Sequence, residues 1–71
     1  MAERVRMSRD DRRGVIIRAA VALTRASSGC VNSWTRNDVA RKCSPPTSID
    51  TVKNYFTMPQ LREAVRVVLR G

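Results

Sequence analysis

The sequence contains no histidine, so it lacks the side chain that most often serves as general acid, general base or metal ligand. Its two cysteines alone cannot complete a standard four-ligand zinc site. It also has no Gly-rich phosphate loop and no cluster of acids that could act as a general base. Four of the six acidic residues stand at predicted helix starts, where capping explains them. We therefore expect no enzymatic activity, no cofactor and no metal.

Aromatic residues and long apolar runs are also scarce. Trp34, Tyr55 and Phe56 are too few for a platform that stacks single-stranded bases. No apolar run approaches the roughly 20 residues of a membrane span, and the charged N-terminus lacks the apolar segment of a signal peptide. Without a sign of secretion, Cys30 and Cys43 are expected as small buried groups or free thiols. These features predict a cytoplasmic protein of a bacterial cell, with no membrane partner.

Positive charge is abundant. The chain has 14 basic and six acidic residues, a formal net charge of +8, and arginine supplies twelve of the 14. Because a guanidinium bonds phosphate through two parallel donors, this bias favours an anionic partner over a surface that is merely basic. A chain of 71 residues forms one domain at most, with a thin core that buries about 60% of its unfolded surface.

The first predicted helix covers residues 9–26. Ser8 is a good N-cap, and Asp11 three residues later suggests a capping box. Gly29 can take the left-handed conformation that ends a helix. The apolar face follows a three- and four-residue spacing and consists of Ile16, Ala19, Ala20, Leu23 and Ala26.

The second predicted helix covers residues 36–42. Thr35 and Asp38 form a capping box, and Trp34 before it suits a hydrophobic staple against Val39. A core role for Trp34 is therefore favoured over a binding role. The core side of this helix consists of Val39, Ala40 and Cys43.

Two further helices are predicted after the Pro45-Pro46 pair, which cannot continue a helix. Ser48 caps the third, residues 49–55, which buries Val52 and either Tyr55 or Phe56. Thr57 caps the fourth in a capping box. Its apolar stripe consists of Leu61, Ala64, Val65, Val68 and Leu69.

The predicted fold is all-α, with four helices in one domain. Residues 1–7 are expected as a flexible basic arm, and residues 8–71 as a helix-turn-helix domain. Two short helices separated by a short break are the outline of a helix-turn-helix. In a chain with a pI near 11.3, this outline indicates DNA binding.

The third helix has the polar-outward, apolar-inward division that a DNA-reading helix needs. The predicted base-contacting residues are Ser48, Ile49, Asp50, Thr51, Lys53 and Asn54. The predicted phosphate-contacting residues are Arg36, Arg41, Lys42, Thr35, Thr47, Tyr55, Arg4, Arg6 and Arg9. Two alternatives stay open: Ser48 and Asp50 only cap the helix, and the N-terminal arginines are only a solvated arm.

Three segments together follow a known pattern: Ile16 to Leu23 with Gly29, then Thr35, Asp38, Val39 and Ala40, then Thr51 to Phe56 with Leu61. In these segments the sequence resembles the N-terminal DNA-binding domain of the TetR family of transcriptional regulators. The resemblance implies a homeodomain-like helix-turn-helix fold and DNA binding. A weaker similarity links the chain to plasmid KfrA-like DNA-binding domains.

The chain departs from the family pattern in four respects, one of which is Pro59-Gln60 in place of the usual charged start of the fourth helix. Thr24 stands where the family usually has Phe, and the Ser44–Thr47 turn is two residues longer and lacks glycine. The 71 residues contain no counterpart of the family's C-terminal domain, which binds the inducer and dimerises, so from the resemblance we expect DNA binding but not ligand sensing.

The leading hypothesis is a small phage- or plasmid-encoded regulator, repressor-like, that binds sequence-specifically to double-stranded DNA. A homodimer is expected on a two-fold site. Its candidate surface is the fourth helix, through Leu61, Val65, Val68 and Leu69, although packing of this helix on the first is the alternative. The alternative function is an inhibitor or adaptor that binds a host protein with the end of this helix. A third hypothesis is nonspecific coating of nucleic acid.

Overall fold

The computed structural model describes residues 8–44 and 46–71. These residues form four helices, α1 (Arg9–Ala26), α2 (Arg36–Lys42), α3 (Ile49–Tyr55) and α4 (Met58–Arg70), and they contain no strand. The predicted all-α class is confirmed, and the helix bounds agree with the sequence patterns. The predicted arm, residues 1–7 with Arg4 and Arg6, lies outside the described residues.

Each helix starts at the hydroxyl cap that the sequence predicts. Thr35 Oγ1 accepts from the Asp38 amide and Asp38 Oδ2 accepts from the Thr35 amide, so both halves of the α2 capping box form. The box at Thr57 and Gln60 is complete too. At α1, the Ser8 hydroxyl accepts from the Asp11 amide at 3.1 Å. These bonds fix the helix starts locally, because they satisfy amides that have no partner within the helix.

The end of α1 at Ala26 and the left-handed Gly29 agree with the prediction, and Ser28 is left-handed as well. Ser27 is the C-cap, and Ser28 follows it in the left-handed region at φ 60°, ahead of Gly29 at φ 86°. The Gly29 amide donates to the Thr24 carbonyl and the Ser28 amide to the Arg25 carbonyl. This is the bond pattern of a Schellman motif, with serine where glycine is usual.

The core lies between α1 and the other helices, because α1 packs against both α2 and α4 while α2 packs against α3. Its buried apolar residues come from all four helices and the connectors, and they are Ile16, Ala19, Ala20, Val21, Trp34, Val39, Ala40, Cys43, Val52, Phe56, Leu61 and Val65. The predicted core positions of α2 are thus confirmed, and Phe56 rather than Tyr55 is the buried aromatic residue after Val52.

The predicted apolar face of α1 needs a correction at its C-terminal end. Ala26 is exposed and Leu23 is only half-buried, whereas Thr24 is fully buried. The Thr24 hydroxyl accepts from Trp34 Nε1 at 2.7 Å and donates to the Ala20 carbonyl at 2.9 Å. A buried indole N–H needs an acceptor, so the threonine that departs from the TetR pattern satisfies Trp34. The predicted core role of Trp34 is confirmed.

The expected dimer surface on α4 also needs a correction. Leu61 and Val65 are fully buried within the chain, so they cannot face a second copy in this fold. The exposed apolar residues of α4 are instead Val67, Val68 and Leu69. The buried residues lie toward the start and middle of α4, which packs against α1, whereas the exposed ones lie near its C-terminal end.

The connection between α2 and α3 is anchored at both sides of Pro45. Cys43 is buried and its amide donates to the Val39 carbonyl, which closes the last turn of α2. The Thr47 amide donates to the Ala40 carbonyl at 3.0 Å. The longer turn is therefore tied back to the end of α2, and it leads directly into the Ser48 cap of α3.

Candidate nucleic-acid interface

Helix α3 presents a polar face to solvent and an apolar face to the core. Val52 is fully buried and Phe56 is 4% exposed, while Asp50, Lys53 and Asn54 are exposed. Ile49 in the first turn is 42% exposed. A polar face of this kind, with one apolar side chain at its start, has the side-chain chemistry that reads base edges and thymine methyl groups.

The six predicted base-contacting positions divide into two groups. Ser48 Oγ accepts from the Thr51 amide at 3.1 Å and lies 2.9 Å from the Thr51 hydroxyl, so these two hydroxyls hold the helix start. Within the described residues, no hydrogen bond or ion pair occupies the side chains of Asp50, Lys53 and Asn54. The free groups of α3 are therefore these three side chains together with the Ile49 methyl groups.

The basic residues of α2 that are predicted to contact phosphate are exposed or half-buried. Arg41 and Lys42 are exposed in its last turn, and Arg36 is half-buried at its first position. The Thr35 side chain is exposed, but its hydroxyl is engaged in the capping box. Thr47 is half-buried in the turn. Arg36, Arg41 and Lys42 thus remain the charged groups that α2 can offer to an anion.

The N-terminal turns of α1 meet the C-terminal end of α3 through two arginine–aromatic pairs. The Arg9 guanidinium carbon lies 5.2 Å from the centroid of the Tyr55 ring, and that of Arg13 lies 5.1 Å from the Phe56 centroid. Arg9 and Tyr55 were predicted separately as phosphate contacts, and the structure brings them together. Arg13 was missed, although its four-residue spacing from Arg9 and its position three residues before buried Ile16 place it on the core side of α1.

The two thiols differ in exposure. Cys30 is exposed in the connector after α1, whereas Cys43 is buried, and no disulfide joins them. Burial raises the pKa of the Cys43 thiol, and the positive charge of Arg12 opposes this rise only in part. Cys43 is therefore a protonated apolar group at neutral pH, as expected for a core cysteine.

The part of the chain that the structure describes holds no group of three or more His, Cys, Asp or Glu side chains that could bind a metal ion. Among these residues no helix has both the length and the apolar character needed to cross a membrane.

Comparison of the chain with protein-family models, with curated proteins and with solved structures found no match.

Proposed function

We propose that this protein is a small transcriptional regulator that binds double-stranded DNA in a sequence-dependent way. Helices α2 and α3, with the turn between them, act as a helix-turn-helix, and α3 enters the major groove. The supporting observation is the division of α3, which buries Val52 and Phe56 and leaves Asp50, Lys53 and Asn54 unpaired at the surface. Such a helix is fixed to the core yet free to contact bases.

The roles of the side chains follow from their chemistry. Asn54 can bond adenine through two hydrogen bonds, Asp50 can accept from the amino group of cytosine, and Ile49 can contact a thymine methyl group. Lys53 reaches either a base or a phosphate. On α2, the exposed Arg41 and Lys42 contact phosphates, which position the protein without reading the sequence.

A TetR-like fold for the domain is part of this proposal. The segments that resemble the family coincide with α1, α2 and α3, and the capping residues Thr35 and Ser48 stand at the starts of the two central helices. The longer turn is compatible with this arrangement because the Thr47–Ala40 bond ties it to α2.

The proposal is tested first by selecting bound sequences from random duplex DNA. We expect one recovered motif, and affinity that falls steeply as the salt concentration rises. Two inverted half-sites in the motif would indicate that two copies bind, since a two-fold dimer requires a two-fold site. Recovery of no motif together with tight binding would instead identify nonspecific coating of nucleic acid.

The reading role of α3 is tested with Asn54→Ala and Lys53→Ala. For Asn54→Ala we expect about 1–3 kcal/mol less discrimination between the selected site and competitor DNA. The control is Arg70→Ala, which removes one positive charge at the end of α4. If both α3 variants keep the wild-type ratio of specific to nonspecific affinity, α3 is not the reading element.

A second candidate function is favoured by one observation, the exposed apolar end of α4. Val67 and Val68 are 55% and 47% exposed, which is unusual for neighbouring valines of a soluble helix. In this proposal the protein binds a host protein, and the end of α4 inserts in a groove of that partner. A host protein that is retained after nuclease treatment by wild type, but not by Val68→Lys, would support it.

A further inference from the structure

The inward face of α1 changes from apolar to basic toward its N-terminus. Ile16 and Ala20 are fully buried, and the residues before them at helical spacing are Arg13 and Arg9. These arginines remain exposed, yet their guanidinium groups lie over Phe56 and Tyr55. The inward face of α1 thus ends in two arginines, Arg9 and Arg13, which stack on aromatic rings at the C-terminal end of α3. We call Arg9 and Arg13 the stacked arginine pair.

Stacking leaves the hydrogen-bonding edge of each guanidinium free. A cation over an aromatic ring uses its flat face, while its N–H donors project in the plane of the group. Within the residues that the structure describes, the one ion pair joins Arg66 to Glu63, and neither stacked arginine has a carboxylate partner. The side chains are therefore held in place without being neutralised.

The stacked arginine pair lines an open cleft of about 680 Å³ between α1, the end of α3 and α4. Asp10 and Glu63 also line the cleft, but Glu63 is paired with Arg66 at 3.5 Å. Arg9 and Arg13 are one helical turn apart on α1, and guanidinium donors of this kind bind the oxygens of phosphate groups.

We propose that the stacked arginine pair is a binding site for phosphate groups, fixed by the two aromatic rings at the end of α3. The proposal rests on the proposed function in one respect: the phosphates belong to the backbone of the DNA that α3 reads. Because Tyr55 and Phe56 directly end α3, phosphates bound here set the position of this helix along the groove. Arg13 thereby helps to position α3 on the DNA. The stacked arginine pair extends the proposed interface beyond the basic residues of α2.

The first experiment measures how the affinity for the selected duplex depends on salt. The slope of log K against log salt changes by about 0.9 for each phosphate contact. We expect Arg9→Ala/Arg13→Ala to reduce the slope by about 1.8, and Arg25→Ala/Arg70→Ala, the control with equal charge loss, to change it little. Arg9→Lys/Arg13→Lys should keep the slope but lower the affinity, because lysine lacks the planar fork. Circular dichroism verifies that each variant is folded, since a purely structural role would alter unfolding and leave the slope unchanged.

The second experiment needs neither DNA nor a variant. Inorganic phosphate is titrated into the wild-type protein at constant ionic strength, and the side-chain Nε–H resonances of its arginines are followed by NMR. We expect those of Arg9 and Arg13 to shift together and to saturate, while that of Arg70 shifts little.

The two experiments separate the two proposals. An unchanged slope with intact specific binding overturns the stacked arginine pair and leaves the regulator. A saturating phosphate shift without any duplex binding supports the anion site and overturns the regulator. Equal shifts of Arg9, Arg13 and Arg70 overturn the site.

Discussion

At the scale of single residues, one buried polar pair joins α1 to the connector that leads into α2. The Thr24 hydroxyl accepts a hydrogen bond from the indole N–H of Trp34 and donates one to the Ala20 carbonyl, and both side chains are buried. Trp34 directly precedes the Thr35 cap of α2. The pair therefore fixes where α2 begins relative to α1, and the position of the candidate interface depends on it.

Replacing Thr24 by Val tests this pair, because valine keeps the shape and removes the acceptor. We expect the free energy of unfolding to fall by about 1–3 kcal/mol, the cost of a buried donor without a partner. Chemical denaturation followed by circular dichroism measures the change.

The control is the same substitution in a Trp34→Phe background, where no indole N–H remains. There the cost of Thr24→Val should largely disappear. An equal cost in both backgrounds would mean that Thr24 contributes through packing or its bond to Ala20, and not through Trp34.

At the scale of the helices, local bonds determine the ends and packing determines the faces. The caps at Thr35, Ser48 and Thr57 each satisfy amides at a helix start, so these boundaries depend on neighbouring residues only. The end of α1 is less favourable, because Ser28 holds a positive φ that an L side chain adopts at a cost.

Substitution of Ser28 by Gly should relieve this cost. We expect a gain of roughly 1 kcal/mol in the free energy of unfolding, reduced somewhat by the greater freedom of glycine in the unfolded chain. Thermal and denaturant unfolding of the variant and the wild type give the difference.

Ser27→Gly is the matched control, since Ser27 has a negative φ of −108° and gains no relief from glycine. This variant should be no more stable than wild type. A similar gain at both positions would contradict the assignment of strain to Ser28.

At the scale of the whole molecule, a small core leaves one end of α4 uncovered. Leu61 and Val65 complete the core, whereas Val67, Val68 and Leu69 are exposed beyond it. Neighbouring apolar side chains at a surface favour association. A homodimer would also give two α3 helices on one DNA site, which a single short helix needs for high specificity.

Association through this end of α4 is tested by sedimentation velocity over a range of protein concentrations, with and without the selected duplex. We expect wild type to shift toward a dimer as its concentration rises, and Val68→Lys to stay monomeric because a charge replaces methyl groups that the dimer would bury. Its free energy of unfolding should change by less than about 0.5 kcal/mol, as for other surface substitutions.

Asn32→Lys adds the same charge at an exposed position outside α4 and should associate as wild type does. A wild-type protein that remains monomeric at every concentration, free and on DNA, would contradict a dimer formed through α4.

Much of the candidate interface could be predicted from the sequence because its residues are close together in the chain. The polar residues of α3 follow from a helical period counted from the Ser48 cap, and the α2 cations follow from the Thr35 cap in the same way. The stacked arginine pair could not be predicted so directly. It depends on α1 meeting residues more than 40 positions later, and no local pattern specifies which aromatic ring an arginine will cover.

The sequence by itself determined the four helices, their starts and the positive charge, because caps, proline breaks and apolar periods act over a few residues. Only the tertiary structure decided which residues far apart in the sequence contact each other and which of them are buried. It placed Thr24 against Trp34, buried Phe56 in preference to Tyr55, and removed Leu61 and Val65 from the surface of α4. The physical reason is that burial is shared between helices, so the partner of each side chain is fixed only when the helices pack.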